Sequence, residues 1–291
     1  LSIRRQRQMC IRDRQIRLKV LGDQHPSVAL TYNNLGGAWY SKGEYDKAIG
    51  YYEQALQIFL KALGDQHPYV ALTYNNLGSA WTPKGEYDKA IGYFEQALQI
   101  RLKAFGDQHP EVATNYNNLG AAWASKGDHY KAIGYFEQAL QIRLKALGDQ
   151  HPDVAMTYSN LGGAWTEKGE YDKAIAFSEK ALGIASVAFG NKHPTVATVY
   201  NNLGLAWGDK GEYDRAITFF EKALGIDSVA FSNRHPSVAR SYNNLGHAWA
   251  AKGEYDRAIT FFEKELGILS PVLGLNHPYT CLLYTSPSPR D

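Results

Sequence analysis

The dipeptide His-Pro recurs at 25–26, 67–68, 109–110, 151–152, 193–194, 235–236 and 277–278, a spacing of 42 residues without slippage. Trp39, Trp81, Trp123, Trp165, Trp207 and Trp249 keep the same period. A fixed period of this size marks supersecondary units that bury their faces against their neighbours, which excludes a single globular core. Six complete units occupy 25–66, 67–108, 109–150, 151–192, 193–234 and 235–276, preceded by the end of a partial unit at 15–24 and followed by the start of another at 277–279.

Each unit reads as two helices. Val28, Tyr32, Leu35 and Trp39 are spaced 4, 3 and 4, one stripe of an α-helix and a pattern no strand can use. Pro26 suits the first helical position, where its missing N–H has no intrahelical partner to lose. Lys42 and Gly43 close this helix A, and Glu44 with Asp46 open helix B, which runs through Ala48, Tyr52, Ala55 and Ile58 to Gly64. Leu-Gly-Asp-Gln-His-Pro connects to the next unit, with His25 and its equivalents expected as loop residues held extended by the following proline. Gly36 and Ala48 are expected where helices A and B approach closely, with Leu35, Trp39 and Tyr52 filling the space around them.

Each unit contains Tyr-x2-Leu-Gly-x2-Trp, then Lys-Gly-Glu-Tyr-Asp-Lys-Ala or a close variant whose alanine lies nine residues after the tryptophan, then an aromatic and another alanine in most copies. In the second unit these are Tyr74, Leu77, Gly78, Trp81, Ala90, Phe94 and Ala97. The pattern resembles the tetratricopeptide repeat, with the two helix-A aromatics exchanged relative to the commonest form. The period exceeds that repeat's usual length of about 34 residues, and the proline that usually ends helix B gives way to a longer helix and a loop. Both departures resemble the long repeats of kinesin light chains and nephrocystin-like proteins. The resemblance implies an all-α, helical-hairpin solenoid, a tetratricopeptide superhelix of six complete repeats, whose concave surface is lined by helix A.

On that surface the resemblance implies a peptide-holding ladder: Asn34, Asn76, Asn118, Asn160, Asn202 and Asn244, with Asn33, Asn75, Asn117, Asn201 and Asn243 beside them and Ser159 the one substitution. Asparagine is a mediocre helix former, and its amide can pair with the backbone of an extended peptide whatever that peptide's sequence. The alternative is that these amides tie adjacent helices together or follow from duplication. Specificity is expected from positions that differ between near-identical units: Leu72, Thr114, Met156 and Arg240 in one series, Leu205 and His247 in a second, Glu167 and Asp209 in a third. This reads as a mildly apolar groove that becomes acidic around Glu167 and Asp209 and basic near Arg240; drift on a solvated face is the competing explanation. A carboxylate clamp for chaperone tails is argued against, because Arg240 is the only cation on the groove stripe.

The function expected is a scaffold that binds an extended peptide or a partner helix. The alternatives are a regulatory array whose effector module lies outside this sequence, and a structural spacer that self-associates through uncapped terminal repeats. With 31 Lys+Arg against 29 Asp+Glu, the charge balance gives no bulk attraction to nucleic acid or to an anionic membrane. No apolar run approaches the roughly 20 residues of a membrane span and no signal peptide opens the sequence, so the location expected is cytoplasmic. Equivalent histidines in stacked repeats sit too far apart to share a zinc ion, whose ligands each need a bond of about 2 Å. No nucleophile and base recur at usable spacing, and no phosphate-binding glycine loop or metalloprotease motif occurs, so neither enzyme, metal nor cofactor is expected. Residues 1–14 and 280–291 leave the repeat pattern abruptly and resemble translated sequencing-adapter read-through. They hold both cysteines, Cys10 and Cys281, and residues 1–14 carry five arginines against one aspartate, so the repeats themselves are cysteine-free and mildly acidic.

Overall fold

A computed structural model describes residues 22–231 and 235–273, with side chains to residue 269. The sequence readings for the two non-repeat ends, for both cysteines and for most of the partial repeats lie outside these residues. The chain divides into two compact units, Leu1–Ala146 and Leu147–Asp291. Among the described residues there are twelve α-helices, one 3-10 turn at Thr82–Lys84 and no strand.

The first unit holds α1 (Pro26–Tyr40), α2 (Tyr45–Leu63), α3 (Pro68–Trp81), α4 (Tyr87–Phe105), α5 (Pro110–Lys126) and α6 (His129–Leu147). The second holds α7 (Pro152–Glu167), α8 (Tyr171–Phe189), α9 (Pro194–Asp209), α10 (Tyr213–Ala230), α11 (Pro236–Ala251) and α12 (Tyr255–Leu273). Odd-numbered helices are the A helices and even-numbered the B helices. Within each unit an A helix packs on its own B helix, as α1 on α2 and α7 on α8, and the B helix packs on the next A helix, as α2 on α3 and α8 on α9. This is a helical-hairpin solenoid in each unit, the all-α architecture expected from the period.

The core is a series of small clusters. Leu35, Leu77 and Leu119 in one unit and Leu161, Leu203 and Leu245 in the other are fully buried, each contributing roughly 1.5–3 kcal/mol of transfer free energy. Ala55 of α2 packs with Val70 and Ala71 of α3 and Ala97 of α4, so apolar contact runs from repeat to repeat. A Cβ added at Gly36 meets the Tyr52 ring at 2.4 Å, and one at Gly78 meets Phe94 at 2.7 Å, which is why the position in front of the helix-B aromatic is glycine. Gly43 closes the first A-to-B turn in the left-handed region at φ 81°, where an L side chain is strained.

The loop histidines do more than the sequence reading assigned them. His25 is extended at φ −79°, ψ 138°, as expected, and its Nδ1 accepts the backbone N–H of Ser27 at 3.1 Å. His67, His109, His151, His193 and His235 make the same bond to the residue two ahead. Each is therefore the N-cap of its A helix, satisfying one of the four orphan N–H groups with a ring nitrogen. Phe105, Phe189 and Phe231 stack on the capping rings of His109, His193 and His235, at 4.6, 4.6 and 4.0 Å between centroids.

The tryptophans close the far end of the A helices. Lys84 and Lys89 lie 5.1 and 4.4 Å from the Trp81 ring centre, and Lys210 with Arg215 repeat the arrangement at Trp207. In four repeats the first lysine also reaches back one repeat: Lys84 pairs with Asp46, Lys126 with Asp88, Lys210 with Asp172 and Lys252 with Asp214. Ordinary surface ion pairs contribute at most about 1 kcal/mol, and these act as a repeated register mark between neighbours.

Candidate peptide-binding face

The asparagines of the A helices are joined in pairs across repeats. Asn76 Nδ2 donates to Asn33 Oδ1 at 3.1 Å and Asn118 Nδ2 to Asn75 Oδ1 at 2.8 Å in the first unit. In the second, Asn244 Nδ2 donates to Asn201 Oδ1 at 3.1 Å, and Asn202 Nδ2 bonds Ser159 through both its carbonyl and its hydroxyl, at 3.1 and 3.0 Å. The 43-residue offset is one period plus one residue, so Asn76, Asn118, Asn202 and Asn244 each reach the Asn33-series position of the repeat before. Asn33, Ser159 and Asn201 are buried, Asn75, Asn117 and Asn243 half-buried. Asn34 is exposed, and Asn76, Asn118, Asn160, Asn202 and Asn244 are half-buried. An Nδ2 donor of each Asn34-series amide in these pairs thus goes to holding neighbouring A helices in register, the alternative the sequence reading set beside ligand contact.

The variable positions divide by exposure. Met156, Glu167, Leu205, Asp209, Arg240 and His247 are exposed, whereas Leu72 and Thr114 are half-buried and the Thr114 hydroxyl returns to Pro110 O. Leu205 and Met156 keep 41% and 46% of their surface in solvent, uncommon for large apolar side chains on a helix otherwise packed against neighbours. Asp209 and Glu167 are one repeat apart at the ends of α9 and α7. Partial burial and the Glu167 charge raise the Asp209 carboxyl above the ordinary carboxylate value.

In the second unit three of these variable residues line an open pocket of about 640 Å³ between α9 and α11. Leu205, Asp209 and His247 line it together with Asn243 and Asn244, so five residues named from the sequence are neighbours there. The His247 ring stands edge-on to Phe262 at 5.1 Å. Gly208, Tyr213 and Phe220 also line the pocket and were not anticipated. Gly208 was legible in principle, since its equivalents are Tyr40, Thr82, Ala124, Thr166 and Ala250.

A second group that sequence reasoning missed is buried between repeats. Arg101 of α4 is 5% exposed; its guanidinium donates to Asn115 Oδ1 at 2.5 Å and to Glu111 O at 3.2 Å, and pairs with the Glu111 carboxylate at 3.0 Å. Burial lowers the Arg101 pKa, against the opposing Glu111 charge. Fourteen residues separate Arg101 from Asn115, and the same spacing joins Asp227 to Ser241, whose hydroxyl donates to the carboxylate at 3.2 Å. The equivalent pair Ala185 and Val199 is apolar and buried. In these three pairs a residue at the end of one B helix and one in the next A helix match in chemistry. Glu265 is also buried, at the position of Ala55 and Ala223, and accepts from Asn243 Nδ2 at 2.9 Å.

Two tetratricopeptide repeat models match the chain, one over residues 28–69, 70–111 and 112–153 and the other over 164–228 and 196–270. The chain belongs to the tetratricopeptide repeat family. Arrays of this family generally serve as scaffolds for protein–protein interaction, and such an array fills most of the chain. No curated protein sequence matches significantly. Among solved structures, a Podosopora anserina putative kinesin light chain with nearly identical TPR-like repeats is 23% identical over 71% of this chain and 98% of its own, with a TM-score of 0.58. BtubC (BKLC) from P. vanneervenii is 19% identical over 100% of this chain and 96% of its own, at 0.60. The apo form of RapI is 15% identical over 89% and 88%, at 0.71. At these identities the likeness is one of fold. Among the described residues no helix is long and apolar enough to cross a membrane, and no group of three or more His, Cys, Asp or Glu is placed to hold a metal ion.

Proposed function

We propose that this array holds an extended segment of a partner protein along its A helices. The observation that carries the reading is the division of labour on that face: a repeated asparagine series flanked by exposed side chains that change from repeat to repeat, from Met156 and Glu167 to Leu205, Asp209, Arg240 and His247. Asn76, Asn118 and Asn244 each spend one N–H on the neighbouring repeat and keep an amide oxygen and a second N–H with which to meet a peptide backbone. Constant backbone contacts with variable side-chain contacts are what recognition of an extended chain requires.

The test is site-specific photocrosslinking. p-Benzoylphenylalanine is placed at Met156 or Leu205 on the A helices and, as a control, at the exposed Val187 or Val229 on the B helices. A discrete partner captured from the A-helix positions and absent from the B-helix positions supports the reading. Equal capture from both, or capture from the B helices alone, overturns it.

A further inference from the structure

We propose that the pocket between α9 and α11 is a subsite for one basic side chain of the bound segment, an arginine or lysine, with its aliphatic stem on Leu205 and its charge beside Asp209 and Glu167. The inference rests on the groove reading above and gives it a chemistry.

Three observations converge. First, the side chains change together at this place. Thr166 of α7 is buried with its hydroxyl turned back to Gly162 O, and the equivalent position in α9 is Gly208, which leaves the volume open. Leu205 and His247 stand beside it where α7 has Gly163, so the pocket gains an apolar side and an aromatic side that the preceding A helix lacks.

Second, the charge is one-signed and unpaired. Two acids at the starts of B helices in this unit find cations, Asp172 through Lys210 and Asp214 through Lys252. Asp209 and Glu167 form no ion pair among the described residues, and the Glu167 charge acts on the Asp209 carboxyl. Two like charges held together in a partly desolvated site are relieved by a cation and aggravated by an anion. Arg240 does not relieve them, because its charge acts on Asp227, on the side where α10 meets α11.

Third, the shape suits a long cationic side chain better than a compact one. A pocket of about 640 Å³ open to solvent, with Phe220 and Leu205 contributing apolar surface and a carboxylate at its rim, matches an aliphatic stem carrying its charge at the end. Asn244, tied to Asn201, lies in the same pocket, so a segment whose backbone meets the asparagine series can drop a side chain into it.

The experiment is a nuclear magnetic resonance titration of the labelled full chain with acetyl-Leu-Arg-Leu-amide, compared with acetyl-Leu-Glu-Leu-amide. Saturable shifts at Leu205, Gly208 and His247 are expected with the arginine peptide and not with the glutamate peptide. The double variant Asp209→Asn, Glu167→Gln is expected to weaken binding at least about tenfold, and Gly208→Thr, which fills the pocket without altering charge, to do the same; tenfold corresponds to about 1.4 kcal/mol. A Cβ at Gly208 meets only the Ala216 methyl at ordinary contact, 3.6 Å, and Thr82 and Thr166 occupy the equivalent position in other repeats, so the filled variant is expected to fold. Equal binding of the two peptides, unchanged binding in both variants, or no saturable shift overturns the subsite. Arginine-peptide shifts confined to other A helices overturn the subsite and leave the groove reading standing. Binding at Leu205 without A-helix crosslinking of any partner overturns the groove reading instead.

Discussion

Asn118 Nδ2 donates to Asn75 Oδ1 at 2.8 Å, a bond between equivalent faces of two successive A helices. Removing it exposes what the asparagine series contributes to the solenoid apart from any ligand. Asn118→Ala leaves a half-buried Asn75 oxygen without its donor and is expected to cost about 1–2 kcal/mol in urea unfolding. If ligand contact were the residue's only role, the unfolding midpoint would not move.

Arg101 and Asn115 form the most polar of the buried inter-repeat pairs. Arg101→Met alone leaves the fully buried Asn115 oxygen unpaired and is expected to destabilise by about 1–3 kcal/mol. Adding Asn115→Val recreates the apolar match seen at Ala185 and Val199 and is expected to recover most of the loss. A double-mutant cycle in urea measures the coupling; additive losses would show that the two residues are not a pair.

Asp227 is 2% exposed, and burial pushes its carboxyl up, with the Ser241 hydroxyl and the Arg240 charge pulling only partly back. The folded chain thus holds this proton more tightly than the unfolded chain. Its stabilising contribution is complete below the ordinary carboxylate value, about 3.9, and is lost as pH rises through the raised one. Asp227→Asn is therefore expected to be more stable than the parent at neutral pH, by a margin that shrinks towards acid. Urea midpoints between pH 4 and 8 measure it, and a constant margin would contradict the assignment.

His193 caps α9 through the Thr195 N–H at 3.2 Å and stacks on Phe189. His193→Ala is expected to cost about 0.5–2 kcal/mol and to speed hydrogen exchange at Thr195. His193→Asn restores a capping oxygen without the ring and is expected to recover the protection of Thr195 but not the whole of the stability.

Ser178 stands where the other repeats have Tyr52, Phe94, Phe136, Phe220 and Phe262, and its hydroxyl is buried without a hydrogen-bond partner. Ser178→Ala removes that desolvated group and is expected to be neutral or to stabilise by about 1 kcal/mol. A clear loss of stability in thermal unfolding would point to a partner for the hydroxyl.

The period of 42, the stripe through Val28, Tyr32, Leu35 and Trp39, and the glycine-to-aromatic pairing of Gly36 with Tyr52 were all readable from the order of residues. Helix periodicity and close packing act over three to sixteen residues, within one hairpin, and repetition then carries each local result to every copy. What local pattern does not contain is the rotation and offset of one hairpin on the next. That geometry set Asn76 against Asn33 and Arg101 against Asn115. It also brought Asp209 beside Glu167, 42 residues away. Sequence named Leu205, Asp209 and His247 separately, as variable positions on one face. Only tertiary structure, by placing α9 against α11 with Gly208 between them, made those three side chains the walls of one pocket.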